Sequence, residues 1–231
     1  MNIYELKEQL ERRKQKVFSI RDIAALKGFS SAAASVYLNR MLKKNLVYRV
    51  GGGKFSISAD PFVISSNLFY PSYISFYSAF YIYGMVEQVI DSLFIVTPKF
   101  RKNRVINNTR VIFVKFPERA MFGFKKMEYA DGYINIAEKE KAFIDSLILP
   151  RYTGMNYLNR IVKEMDVQIL KKYAFMTGSE AVMRRIGFLF DINGIENDIR
   201  IRSKTAYKLN PSIKEKGKFN SKWRMYINEA L

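Results

Sequence analysis

The sequence predicts an α+β protein: a small N-terminal part of helices closed by a hairpin, then a larger part in which strands and helices mix. Three observations carry this. Ser30–Lys54 reads as a capped helix, a strand and a glycine-tipped turn. Asp60-Pro61 starts a linker over residues 60–67, after which eight aromatic residues crowd between Phe69 and Tyr83. Beyond them, short apolar runs of strand length alternate with stretches of helical spacing. With 231 residues, of which 48% are apolar, the chain can bury a substantial core.

Residues 1–59 are expected to form the first domain. Ile3, Leu6 and Leu10 mark a helix with its acids early and Arg12, Arg13, Lys14 and Lys16 late, an order that suits the helix dipole. Phe18-Ser19-Ile20 reads as a short strand. Ser19 with Asp22 three residues on is a capping-box pattern opening a second helix, which Gly28 stops. Ser30 caps a third, whose Ala34, Leu38, Met41 and Leu42 share one face. Its other face carries Ser31, Ser35, Tyr37, Asn39, Arg40 and Lys43, with no acid among them. Leu46–Val50 and Phe55–Ser58 pair across Gly51-Gly52-Gly53, with Arg49 and Lys54 flanking the turn. Helix, tight turn, helix and a following hairpin make the winged helix-turn-helix plan.

Residues 68–231 are expected to be one larger mixed α/β domain. Ser72 is read as the cap of a helix whose Tyr73, Phe76, Phe80 and Tyr83 pack inward. Residues 93–97, 111–114 and 132–136 are read as strands, and 137–149 as a helix with Ala142, Phe143, Leu147 and Ile148 inside. Further helices are marked by Leu158, Ile161 and Val162, by Leu170, Tyr173 and Ala174, and by Ser179 as the cap of 180–190.

Composition narrows the chemistry. There is no cysteine and no histidine, which removes disulfides, thiolate nucleophiles, imidazole shuttles and most zinc sites. No signal peptide is visible, because the N-terminus mixes acids and bases. The most apolar stretch, 73–86, falls short of the about 20 residues a membrane span needs. A soluble cytoplasmic protein is expected. The net charge of +18 favours a polyanion partner, either nucleic acid or an anionic membrane. Residues 99–126 and 200–224 each carry 9 basic residues against 1 acid, while 127–199 carry 9 against 11, so the charge is clustered.

Five longer pieces follow one another along the chain: Tyr70-Pro71-Ser72-Tyr73-Ile74-Ser75-Phe76-Tyr77-Ser78-Ala79-Phe80 with Gly84, Val96-Thr97, the Ala137–Asp145 helix, Arg185-Ile186-Gly187-Phe188-Leu189, and Leu209-Asn210-Pro211 leading to Trp223 and Asn228. Together, in this order, they resemble AbiEi-type antitoxins. Tyr83-Gly84 departs from the His-Gly that many relatives carry. The resemblance implies an antitoxin and autoregulating transcriptional repressor of a type IV toxin–antitoxin system. It would counter a nucleotidyltransferase-like toxin without a stable complex.

No catalytic, metal or cofactor set emerges. Gly178-Ser179 precedes Asp191, but the slot for a second acid is Asn193, and one carboxylate cannot hold the metal pair of a nucleotidyl transfer. Glu138, Glu140 and Asp145 beside Lys139 and Lys141 read as a solvated helix face. Gly51-Gly52-Gly53 lacks the Gly-Lys-Ser/Thr ending of a phosphate loop.

The candidate DNA-contacting residues are therefore Ser30, Ser31, Ser35, Tyr37, Asn39, Arg40 and Lys43 on the third helix, with Arg49 and Lys54 on the hairpin. Arg40 can fork onto guanine and Asn39 onto adenine. Two basic loops are expected to extend that surface, one with Lys99, Arg101, Lys102 and Arg104, the other with Lys214, Lys216, Lys218 and Lys222. The expected partner is duplex DNA, an operator of inverted repeats, and no membrane; RNA or an acidic protein stays open as the alternative for these loops.

Overall fold

The computed structural model describes residues 2–13, 16–86, 88 and 90–231, with Lys27 described by its backbone only; Lys14 lies outside the described residues. The fold is α+β. The chain divides into two compact units, one of Met1–Ile74, Asp91–Phe116 and Lys125–Ile136, the other of Ser75–Ile90, Pro117–Phe124 and Ala137–Leu231.

In the first unit, Asn2 and Glu5 form a capping box that starts Ile3–Arg12 (α1). Val17–Ser19 (β1) runs into a second box, Ser19 with Asp22, which starts Ile20–Lys27 (α2). Gly28 ends α2 in the left-handed region at φ 63°, where a side chain would be strained. Ser30 caps Ser31–Lys43 (α3), accepting from the Ala33 amide at 3.2 Å. Tyr48–Gly51 (β2) and Lys54–Ser56 (β3) form an antiparallel hairpin; β1 pairs with β3, giving the order β1-β3-β2. Leu6, Leu10, Ile23, Leu38, Met41 and Phe55 form the core beneath these elements. Each such side chain withdrawn from water contributes about 1.5–3 kcal/mol.

Residues 60–67, read from the sequence as a linker, contain a helix, Pro61–Asn67 (α4). Asp60 accepts from the Phe62 and Val63 amides at 2.8 and 2.9 Å, and Pro61 sits where a missing amide costs nothing. Val63 and Ile64 are buried, and α4 packs on the large sheet. That sheet comprises Tyr73–Ile74 (β4), Ser92–Thr97 (β5), Arg104–Ile106 (β6), Thr109–Lys115 (β7), Phe124–Tyr129 (β8) and Gly132–Ala137 (β9), in the order β6-β7-β5-β4-β9-β8. β5 runs parallel to β7, and β4 lies antiparallel to β5 and parallel to β9. The three expected strands are β5, β7 and β9; β4, β6 and β8 were not expected. Ser72 caps no helix. Its hydroxyl donates to the Ser66 and Phe69 carbonyls, and Tyr73 belongs to β4, because a two-residue strand carries too little pattern to compete with helical spacing.

The second unit holds Phe76–Ile82 (α5), Lys139–Ile148 (α6), Met155–Ile161 (α7), Val167–Met176 (α8) and Glu180–Ile192 (α9). Tyr207–Lys208 (β10), Lys218–Asn220 (β11) and Met225–Ile227 (β12) form a small sheet in the order β10-β12-β11. The central helix is α6, which packs against α5, α8 and α9. The charged face of α6, expected to be solvated, is buried at Lys141 and Asp145. Lys141 and Asp145 are wholly buried and paired with each other, and the Ser75 hydroxyl donates to Asp145 at 2.7 Å. Glu138 stands outside the helix as its N-cap residue and accepts from the Tyr173 hydroxyl. On α9, Arg184 is buried and donates to the carbonyls of Trp223 and Ser203 and to Glu180, while Arg185 donates to Leu147 and Lys208. Among the described residues, no helix is long and apolar enough to cross a membrane.

Candidate nucleic-acid interface

The inward and outward faces of α3 are set by its period. Ala34, Leu38 and Met41 are buried, and Leu42 is half-buried. Ser31, Asn39, Arg40 and Lys43 are exposed, and Ser35 is half-buried at the margin. Val36, which sequence reasoning passed over as apolar, is 48% exposed in the middle of the same stripe. Its position one turn before Arg40 was the available signal. Tyr37 turns aside; its ring stacks on Phe29 with centroids 5.1 Å apart, so it braces the turn before α3 rather than reaching outward. The Ser30 hydroxyl is occupied as the helix cap. The outward stripe thus offers a guanidinium fork, an amide, an ammonium and a methyl-bearing side chain, with no carboxylate to repel phosphate.

On the hairpin, Arg49 is exposed and its guanidinium lies 5.4 Å over the Phe55 ring. Gly51, Gly52 and Gly53 all take positive φ, as the tight turn requires. Lys54 flanks the tip as expected, paired with Gly51 across the turn, but it is not free to reach outward. It pairs in register with Ser19 and is half-buried; burial lowers the affinity of its amine for a proton, opposed by Asp22 and reinforced by Arg101.

The first basic loop splits into two roles. Lys99 and Lys102 are exposed. Arg101 and Arg104 are half-buried and turned to structural use. Arg101 lies 4.1 Å over the Phe69 ring, and Arg104 opens β6 and donates to the Val50 carbonyl of β2 at 2.9 Å. A guanidinium stacked on an aromatic face is held more firmly than an ammonium would be, which is why the two arginines rather than the two lysines are internal.

In the second unit, Lys214, Lys216 and Lys218 are exposed, with Lys218 on β11 and Lys216 at 5.4 Å over the Tyr226 ring. Lys222 is tied to Asp191 at 2.6 Å. Asp191, weighed above as a catalytic acid, also accepts from the Trp223 indole at 2.6 Å. Its carboxyl is raised by partial burial, but these bonds outweigh burial and hold it below the usual range. Among the described residues, no cluster of three or more acidic, histidine or cysteine side chains is placed to hold a metal ion.

No family model matches the sequence, and no curated protein matches it. Among solved structures, the chain is similar to the crystal structure of the RV2827C protein from Mycobacterium tuberculosis, with a TM-score of 0.57 and 11% identity over 95% of this chain and 89% of that one. At that identity the likeness is one of fold.

Proposed function

We propose that this chain is a DNA-binding transcriptional repressor whose first 59 residues act as a winged helix-turn-helix, with α3 as the recognition helix and the β2–β3 hairpin as the wing. The observation that carries this is the acid-free stripe of α3, where Asn39, Arg40 and Lys43 stand exposed above the buried Ala34, Leu38 and Met41. Such a helix can enter a major groove with its donors toward base edges, while Arg49 and the glycine tip reach the backbone. The order α1-β1-α2-α3-β2-β3, with β1 joined to the hairpin, supports the winged plan. The net charge of +18 supports a polyanion partner.

The resemblance of the remaining sequence to AbiEi-type antitoxins extends the proposal. The chain would autoregulate its operon and counter a nucleotidyltransferase-like toxin without enzymatic activity of its own. The test is a shift assay with the duplex upstream of its own gene, set against an unrelated duplex of equal length at the same salt. Preference for the upstream duplex supports the repressor; equal binding to both, or none, removes it. A nucleotidyltransferase-like reading frame next to the gene, toxic alone and harmless with this chain, would support the antitoxin role; a neighbour that is harmless by itself would remove it.

A further inference from the structure

Two sheet edges border one cleft within the first unit. β2 is an edge of the N-terminal sheet and β6 an edge of the six-stranded one. Between them lies a cleft of about 440 Å³, inside the range of about 300–1,000 Å³ typical of pockets for small organic groups. Ile64 and Ile106 give it an apolar lining, Arg49, Lys102 and Arg104 supply cations, and no carboxylate lines it. Tyr48, on its wall, is 41% exposed. On the same loop as Lys99 and Lys102, Phe100 is 73% exposed. Aromatic rings left in water among cations are unexplained by the folding of either sheet.

We propose that this cleft binds an unpaired stretch of nucleic acid, an inference that rests on the reading of this unit as a nucleic-acid binder. Tyr48 on the cleft wall offers a face on which a base stacks, and Arg49 and Lys102 take phosphates there; Phe100 and Lys99, outside the lining on the loop that leads into Lys102, offer a second face and a further cation to the strand as it leaves the cleft. Two asparagines are fixed to read a base edge. Asn103 lines the cleft, and its oxygen accepts from the Phe113 amide at 3.1 Å, which leaves the NH₂ group as the donor it can offer a base. Asn107 donates to the Ala59 carbonyl, which leaves its oxygen to accept. Duplex DNA does not suit these features, since paired bases already stack on one another and offer no free face to a ring. An added peptide strand suits them less well. β6 is only three residues long, and the Val50 carbonyl on the β2 edge is already taken by Arg104.

The experiment measures, by fluorescence anisotropy on the full chain, a labelled thymidine oligonucleotide of about twelve nucleotides, within the roughly 4–16 nucleotide site sizes of single-strand binders, alongside a labelled duplex. The wild type should bind both. Phe100→Ala and Tyr48→Ala should each weaken the oligonucleotide by roughly 5- to 150-fold, the span of base–aromatic stacking, and leave the duplex unchanged. Phe100→Trp and Tyr48→Phe should keep oligonucleotide binding, which separates stacking from misfolding. Four results overturn the proposal alone: oligonucleotide affinity indifferent to both alanine variants; equal losses for oligonucleotide and duplex, which would make the cleft part of the duplex face; stronger competition by polyglutamate than by unlabelled oligonucleotide, which would point to a protein occupant; or wild-type binding of duplex without oligonucleotide. In that last case the repressor reading stands and only the cleft assignment falls; binding of neither removes both.

Discussion

Trp223 lies against the backbone of α9 at Gly187, where an added Cβ would stand 2.1 Å from the indole ring. The glycine is there for the tryptophan, not for the helix, since glycine in a helix interior costs about 1 kcal/mol relative to alanine. The indole NH is in turn held by Asp191, one helical turn further on. The packing of α9 against the C-terminal segment therefore hangs on one missing methyl group.

Gly187→Ala should destabilise the second unit despite its better helix propensity, by about 1–3 kcal/mol, the usual cost of overpacking a filled site. Trp223 is the only tryptophan, so its fluorescence reports this site alone. The prediction is an earlier thermal transition with a red-shifted native emission. An unchanged melting curve would mean that Trp223 does not sit over Gly187.

The Lys141–Asp145 pair is the second test. Removing one partner strands the other charge in the core, so Asp145→Ala should cost about 3–5 kcal/mol. The double variant Lys141→Met with Asp145→Leu should recover most of that loss in a denaturant melt, because both charges leave together. Comparable losses in the single and double variants would show that the pair is not buried.

Alkaline pH should act on the second unit through three phenols. Burial, with Glu138 and Glu140 nearby, pushes Tyr83 up to about 12; burial and the neighbouring Tyr77 do so for Tyr157; burial and the bond to Glu138 do so for Tyr173. Tyr83 donates to the Ala137 carbonyl and Tyr157 to the Met85 carbonyl, each at 3.0 Å, and a phenolate can donate nothing. These folded pKa values are raised, so the associated stability is complete below the unfolded value of about 10 and is lost as pH rises toward about 12. Tyrosinate absorbance and Trp223 emission followed together should change in that window. Substituting Tyr83 and Tyr157 by Phe should flatten the decline in stability across it.

Arg40→Ala should weaken specific duplex binding by about 1–3 kcal/mol and relax preference at one base pair. Lys43→Ala should weaken all duplexes alike, as a phosphate contact does. A shift assay in which Arg40→Ala binds the upstream duplex as tightly as wild type removes α3 as the recognition helix.

Salt dependence measures how far the basic loops take part. If both extend the duplex contact to about eight phosphates, the log–log slope should be roughly −7, and a slope near −2 would confine contact to α3 and the hairpin. Because Arg101 and Arg104 are already engaged with Phe69 and Val50, their replacement should lower stability more than it changes that slope.

What the sequence determined by itself was local. The caps at Ser19, Ser30 and Ser179, the stop at Gly28, the buried stripe of α3 and the glycine turn all follow from contacts within a few residues, where spacing and side-chain chemistry suffice. The strands β5, β7 and β9 were legible as apolar runs, and the exclusions drawn from missing histidine and cysteine needed no fold. Tertiary structure alone decided the rest. It made a helix of 61–67 by giving Val63 and Ile64 a sheet to cover, drew Tyr73 into a two-residue strand between β5 and β9, and buried Lys141 with Asp145. It also divided one basic loop into exposed lysines and internal arginines. In each case a partner distant in the chain settled the outcome, and a charge or an aromatic ring does not carry in its own neighbourhood the identity of the group that will meet it.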